Sequence, residues 1–272
     1  YAQKTLQLDG EYKFYNPQYR LKITSELAYA HARIGQYEEA EKVVAAAIAQ
    51  NENHPELLCD AYVALGRIYD VQGLNAASAE GSKRAVEVGE ASGVGDLASA
   101  SFNLATSQFL IGQLAEARKT IKKVKRYFPV STYFAVHNLE ARIYTVEGDY
   151  ASAIQAAQAG LINISTTFTD TSTAINPTII DEFRDLDWAV HLLYRKATAQ
   201  RKLGVQQKEV SYLQAAQATN QLMLALATDG FSNLQGFELT QYFGILKQFI
   251  RLGLHLETKI ALDFYQVTND PS

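Results

Sequence analysis

Residues able to carry chemistry are spread along this chain and form no cluster. Its five histidines fall in different stretches of the sequence: His31, His54, His137, His191 and His255. No two of them have the spacing of the HExxH motif, in which two zinc ligands share one helix face. The single cysteine, Cys59, can form neither a disulfide within the chain nor a cysteine-based zinc cluster. The GxxxxGK[ST] phosphate loop and the GxSxG nucleophile elbow are missing from the sequence. We therefore predict a protein that is not an enzyme and that needs no cofactor or metal.

Two charged stretches are further candidates for a site. Six basic residues fall within nine positions: Arg118, Lys119, Lys122, Lys123, Lys125 and Arg126. Such a run could bind nucleic acid or an anionic surface, but Ile121 and Val124 inside it predict a helix whose basic residues form the solvated face. Four acids also lie close together: Asp181, Glu182, Asp185 and Asp187. They favour a helix start, where acids complement the dipole, with a cation site as the alternative. The net charge of −4 gives no general attraction to nucleic acid, which we do not expect as a partner.

The strongest signal in the sequence is a repeat. A glycine recurs at intervals of 38, 39 and 36 residues, at Gly35, Gly73, Gly112 and Gly148. A small residue lies seven positions before each glycine and another lies five after it: Ala28 and Ala40, Gly66 and Ser78, Ala105 and Ala117, Ala141 and Ala153. Self-similarity at this period is typical of stacked helix pairs, which bind partners on extended concave surfaces and seldom carry catalysis.

Helix start and stop signals divide the chain further. Asn16-Pro17 and His54-Pro55 are typical helix starts, and the recurring glycines are typical of the turn after a helix. The predicted layout is an extension over 1–15, four well-matched repeats over 16–163, a Ser/Thr-rich loop over 164–177, and two divergent repeats with a C-terminal cap over 178–272. In the last part, Asn176-Pro177 predicts a helix start, and Gly204 and Gly253 predict the two turns. The predicted fold is all-α, a right-handed α-solenoid of about six antiparallel helix pairs.

The repeats resemble the tetratricopeptide repeat. Leu65-Gly66-Arg67-Ile68-Tyr69 followed by Gly73 and Ala85 is the best match, and Leu27-Ala28 followed by Gly35-Gln36-Tyr37 and Ala40 is nearly as good. The resemblance is strong over about 20–160 and weak over 178–267. The intervals exceed the 34 residues usual in that family, and His31 and Gln108 stand where an aromatic ring normally packs. Longer repeats of this kind look like those of bacterial signalling and transcription-regulatory proteins.

The resemblance implies that the first helix of each pair lines the binding surface. The helical period then places eight candidate ligand-binding residues on that surface: Tyr29, Arg33, Arg67, Asn103, Asn138, Arg142, Tyr194 and Arg201. Asparagine amides can hold the backbone of an extended peptide, and arginine forks can hold carboxylates, so we expect a protein or peptide partner with acidic groups. The alternative is that these arginines are solvated or pair with neighbouring acids such as Asp70.

The resemblance also implies a function. We expect a protein- or peptide-binding module that serves as the sensor or scaffold segment of a larger bacterial signalling or regulatory protein. The alternative is a ligand-gated regulator, in which a small peptide or metabolite in the concave groove controls an attached domain. The chain begins with tyrosine, so we expect it to be part of a longer protein. No apolar stretch reaches about 18 residues, which predicts no membrane span. A cytoplasmic location is favoured, while a periplasmic one and a homo-oligomer stay open.

Overall fold

The computed structural model describes residues 16–93, 95–127, 133–178, 182–233 and 237–269, with residues 230–233 and 237–246 described by their backbone alone. Eleven α-helices make up most of this described part, and none of its residues forms a β-strand. An isolated antiparallel bridge joins Ser165 and Phe183. The predicted all-α fold of paired helices is confirmed. The predicted extension over 1–15 lies outside the described residues.

The first of two compact units comprises residues 1–128. Its helices are α1 (Pro17–Arg33), α2 (Tyr37–Gln50), α3 (Pro55–Val71), α4 (Asn75–Ser92), α5 (Leu97–Leu110) and α6 (Leu114–Tyr127). They form the pairs α1–α2, α3–α4 and α5–α6, and the first helices also pack side by side, α1 on α3 and α3 on α5. The predicted helix start at Asn16-Pro17 is confirmed, because the Asn16 side chain accepts a hydrogen bond from the backbone N–H of Tyr19 at 2.8 Å.

The second unit comprises residues 129–272. Its helices are α7 (Tyr133–Glu147), α8 (Tyr150–Ile164), α9 (Leu186–Gln207), α10 (Val210–Asn233) and α11 (Phe237–Asn269). The pairs are α7–α8 and α9–α10, with α9 also packed on α7 and α8, and α11 packed on α9 and α10. None of the described helices is both long enough and apolar enough to cross a membrane.

The recurring glycines form one repeated turn. Gly35, Gly73, Gly112 and Gly148 have φ between 74° and 82°, the left-handed region that glycine adopts without strain. In each turn, the backbone N–H after the glycine donates to the carbonyl four residues before the glycine, at 2.8–3.0 Å. This bond closes the helix end and sends the chain into the antiparallel partner helix. The predicted turns are therefore confirmed at all four positions.

The small residues around each turn allow the helices to approach closely. Ala28, Ala40, Ala105 and Ala117 have no exposed surface, and Ala141 and Ala153 are equally buried. In the first pair, Ala28 and Ala40 pack with Val44, Ala64 and Ile68, so one cluster joins α1, α2 and α3. The repeat of small residues in the sequence thus corresponds to a repeat of close helix contacts.

Three details of the last 100 residues differ from the sequence prediction. The first helix of the fifth pair begins at Leu186, capped by Asp185, and does not begin near Asn176-Pro177. That helix continues through Gly204 and ends at Gln207, and its C-cap Lys208 adopts φ 55° in the place that glycine takes elsewhere. The predicted sixth pair is a single 33-residue helix, because α11 continues through Gly253. A side chain at Gly253 would meet Leu224 at 2.5 Å, so this glycine allows helix contact and makes no turn.

Candidate ligand-binding surfaces

The first unit has a groove between the first helices of its first two pairs. A cavity of about 470 Å³ opens between α1 and α3. Five charged side chains line it: Lys22, Glu26, Asp60, Arg67 and Asp96. Asn16, Ser25 and Tyr19 add polar groups. The groove thus offers charges of both signs together with hydrogen-bonding groups, which suits a peptide better than an apolar small molecule.

Three predicted site residues meet at one end of this region. The Arg67 guanidinium lies 4.4 Å from the centre of the Tyr29 ring, and its Nη1 lies 3.6 Å from the Glu26 carboxylate. Arg33 donates from Nη1 to the Tyr29 hydroxyl at 3.4 Å. The Arg67 side chain remains 40% exposed, so its contacts with Tyr29 and Glu26 orient it without removing it from solvent. We call Tyr29, Arg33, Arg67 and Glu26 the arginine–tyrosine cluster.

Two acidic side chains of the groove are Asp60 on α3 and Asp96, which caps α5. Asp60 on α3 accepts a hydrogen bond from the backbone N–H of Asp96 at 3.2 Å. Burial raises the pKa of Asp60, and this hydrogen bond opposes the rise. The neighbouring Cys59 is fully buried, which raises the pKa of its thiol to about 11 and leaves it unreactive at neutral pH. Asn103, another predicted site residue, lies half-buried on α5 and is not among the residues that line this cavity.

In the second unit, two predicted site residues have structural partners. Arg201 on α9 forms an ion pair with Asp263 on α11 at 2.5 Å, and their side chains are only 17% and 13% exposed. Tyr194 packs edge-on against Phe249, with ring centres 6.1 Å apart. Both contacts join α9 to α11. Ligand binding by these two side chains stays a prediction.

The other two predicted residues of the second unit lie on α7, beside a residue that the sequence analysis missed. Asn138 is buried, and its Oδ1 has no hydrogen-bond partner among the described residues. Arg142 is one turn further along, and burial lowers its pKa. Arg195 on α9 is also mostly buried, and burial with the nearby positive charge of Arg142 lowers its pKa to about 10. The helical period selected Tyr194 for the binding surface and not Arg195, which lies on the neighbouring face of α9.

A buried lysine fixes the segment that joins α8 to α9. Lys196 has no exposed surface, and its Nζ donates three hydrogen bonds: to Gln158 Oε1 at 2.6 Å, to the carbonyl of Ile175 at 2.7 Å and to Asn176 Oδ1 at 2.8 Å. Burial lowers the pKa of Lys196 from 10.5 to about 7, and the nearby Asp170 partly opposes this change. The Ser/Thr-rich loop was predicted over 164–177; in the structure residues 165–178 contain no helix, and Lys196 binds this segment to the core of the unit.

Neighbouring polar side chains complete this Lys196 network. Gln158 Nε2 donates to the carbonyls of Asp170 and Ser172 at 2.7 and 3.0 Å. The hydroxyl of Thr219 on α10 donates to Gln200 Oε1 at 2.8 Å and lies 3.0 Å from the amide nitrogen of Asn176. Asn176, which the sequence analysis read as a helix start, therefore binds Lys196 and Thr219.

The two charged stretches lie largely as predicted, the basic one on the solvated face of a helix and the acidic one at a helix start. The basic run lies on α6, where Ile121 and Val124 are buried and Lys123 pairs with Glu90 at 3.1 Å. In the acidic stretch, Asp185 caps α9 by accepting from the N–H of Trp188 at 3.3 Å. Asp181 lies outside the described residues. No group of three or more potential metal ligands occurs in the part of the chain that the structure describes.

Comparisons with known proteins support the fold. No protein-family model matches the sequence, and no curated protein matches it. Among solved structures, the chain is similar to the crystal structure of BtubC (BKLC) from P. vanneervenii, with a TM-score of 0.67 and 15% sequence identity. The likeness covers 86% of this chain and 91% of that chain. At this identity it shows a shared all-α, solenoid-like fold and nothing about what the protein binds.

Proposed function

We propose that the protein is a non-catalytic binding module for proteins or peptides, built on tetratricopeptide-like helix pairs. In this proposal it is the sensor or scaffold segment of a larger signalling protein, the setting in which long repeats of this kind are found. The observation that carries the proposal is the groove between α1 and α3, which has a volume of about 470 Å³ and is lined by charges of both signs.

The chemistry of the groove matches the groups that an extended peptide displays. Arg67, oriented by Tyr29, can pair with a carboxylate of the ligand through its planar fork of donors. Asp60, on the same helix as Arg67, and Asp96, which caps α5, can accept from a lysine or an amino terminus. The Ser25 hydroxyl, which also lines the cavity, can hydrogen-bond to the peptide backbone. A peptide bearing both an acidic and a basic residue therefore suits the groove best.

A selection from a phage-displayed library of random 12-residue peptides tests this proposal. Peptides that bind the wild-type protein should combine acidic and basic residues, and calorimetry should give Kd values in the micromolar range. Arg67→Ala should weaken their binding at least tenfold, because it removes the oriented guanidinium. Arg84→Ala is the matched control, since Arg84 is an exposed arginine of α4 that pairs with Glu80 at 3.2 Å and does not line the groove. Equal effects of the two variants, or the recovery of no binding peptide, would contradict the proposal.

A further inference from the structure

The last helix, α11, occupies the place of a first helix, but no second helix pairs with it in the described part of the chain. In the first unit, α3 packs on both helices of the preceding pair, α1 and α2, and on its own antiparallel second helix, α4. In the second unit, α11 packs on α9 and α10 in the same way. No described helix follows α11. The side of α11 on which a second helix would lie is therefore open.

Large apolar side chains project from this open side. Phe249, Leu256 and Ile260 face the unit and are buried. Over the same length of helix, three apolar side chains point away from the unit and are largely exposed: Leu254 by 58%, Leu262 by 58% and Tyr265 by 70%. They are among the most exposed large apolar residues of the described chain. Exposed apolar residues grouped in this way mark an interaction surface.

The spacing of the exposed residues is that of a contact between two helices. Successive positions of this side lie four or three residues apart, which places them along one stripe, as in the seam of a coiled coil. The stripe consists of Arg251, Leu254, Thr258, Ala261 and Tyr265, all exposed, with Leu262 beside it. The exposed polar residues lie on another side of the helix: Gln248, His255, Lys259 and Gln266. This separation within the exposed half of α11 indicates a helical partner.

We propose that this stripe binds the same stripe of a second copy of the chain, with the two α11 helices antiparallel and centred on Thr258. Each helix pair of the fold is antiparallel, so the second copy would supply the helix that α11 lacks. The stripe also complements itself in this arrangement. Leu254 and Leu262 lie four residues on either side of Thr258, so Leu254 of each copy comes level with Leu262 of the other. The surface belongs to the second unit and is independent of the peptide groove.

Charge favours the same arrangement. The stripe carries its cation at its start, Arg251, while residues 264–269 carry no charge. Antiparallel pairing brings each Arg251 level with Tyr265 of the other copy, where it can stack on the ring as Arg67 does on Tyr29, 4.4 Å from its centre. It also separates the two Arg251 residues by about 21 Å along the helix axes. A parallel pair would place these like charges side by side.

Sedimentation equilibrium of the full chain, from about 1 to about 200 μM, tests the surface. The weight-average mass of the wild-type protein should rise from that of one chain towards that of two. Leu254→Glu and Leu262→Glu should each remain monomeric over this range, because each places a charge in the apolar contact. Both side chains are exposed, so the circular dichroism of the two variants should equal that of the wild type.

Leu74→Glu is the matched control, since Leu74 is a leucine of the first unit that is 49% exposed. This variant should form dimers as the wild type does. A wild-type mass that stays at one chain up to the highest concentration would overturn the proposal. So would dimers of Leu254→Glu and Leu262→Glu that are as stable as those of the wild type.

Disulfide formation between copies tests the direction of pairing. The native Cys59 is fully buried, so a cysteine introduced on α11 is the reactive thiol. Under mild oxidation Thr258→Cys should give a covalent dimer on a non-reducing gel. Tyr265→Cys should give none, because antiparallel helices hold the two positions about 21 Å apart, beyond the reach of a disulfide. Covalent dimers of both variants would indicate a parallel pair, and a Thr258→Cys variant that stays unlinked would exclude the centre at Thr258; either result overturns the proposal.

Discussion

Replacing Lys196 with methionine should remove a pH dependence that this one side chain imposes on the stability of the second unit. Lys196 is fully buried and its pKa is lowered from 10.5 to about 7. Between these two values the unfolded chain keeps a proton that the folded unit has lost. The free energy of unfolding must therefore rise with pH across this window, and the penalty of the buried charge is fully present below about pH 7.

The size of the effect follows from the same two pKa values. From pH 7 to pH 9, the unfolding equilibrium constant of the wild-type unit should fall about 50-fold because of Lys196, which corresponds to about 2 kcal/mol. The Lys196→Met variant lacks this contribution. It also removes the hydrogen bonds to Gln158, Ile175 and Asn176, which lowers stability across the whole range from pH 7 to pH 9.

Urea denaturation at pH 7, 8 and 9 measures the difference between the two proteins. Fluorescence of Trp188, which packs 5.5 Å from Phe134, reports on the second unit alone. Lys259→Met is the control, because Lys259 is an exposed lysine of the same unit. A difference between wild type and Lys196→Met that stays constant from pH 7 to pH 9 would refute the reasoning. It would mean that the three oxygens fully replace the hydration of the ammonium group.

Four further substitutions test the turns, the packing and an ion pair. Gly73→Ala should destabilise the first unit by about 1 kcal/mol in urea denaturation followed by circular dichroism, because its φ of 74° strains any other residue although open space surrounds it; an unchanged midpoint would contradict this. Ile68→Ala should cost the same unit about 3 kcal/mol, because Ile68 is fully buried, and a cost below 1 kcal/mol would be inconsistent with that burial. Arg201→Gln and Asp263→Asn should each cost the second unit about 3 kcal/mol, and their double variant should cost less than the sum. Additive costs would show that the ion pair contributes no coupling.

The first four repeats could be predicted from sequence because each signal there is local. A glycine with positive φ and small residues at fixed distances from it are required by the turn and by close helix contact, so they recur visibly. Beyond residue 164 the decisive contacts join residues far apart in the chain. Nothing local to Asn176 shows that it binds Lys196, and nothing local to Gly253 shows that Leu224 packs on it.

The candidate site residues show the same difference between local signals and contacts that join distant parts of the chain. Tyr29 and Arg67 were predicted from the family resemblance and the helical period, and the structure brings them together. Arg195 was missed because one cause of its lowered pKa is the charge of Arg142, a residue of another helix. Its charge was visible in the sequence, but its burial and the nearby positive charge of Arg142 are properties of the folded chain.

The hydrogen bonds of Lys196 also limit how this protein can be recombined with others of its architecture. The donor and its acceptors come from α8, the 165–178 segment and α9, so a chimera joined anywhere between Gln158 and Lys196 would separate the ammonium group from an oxygen that it binds. Domain exchange in this part of the chain must therefore move residues 158–196 as one cassette.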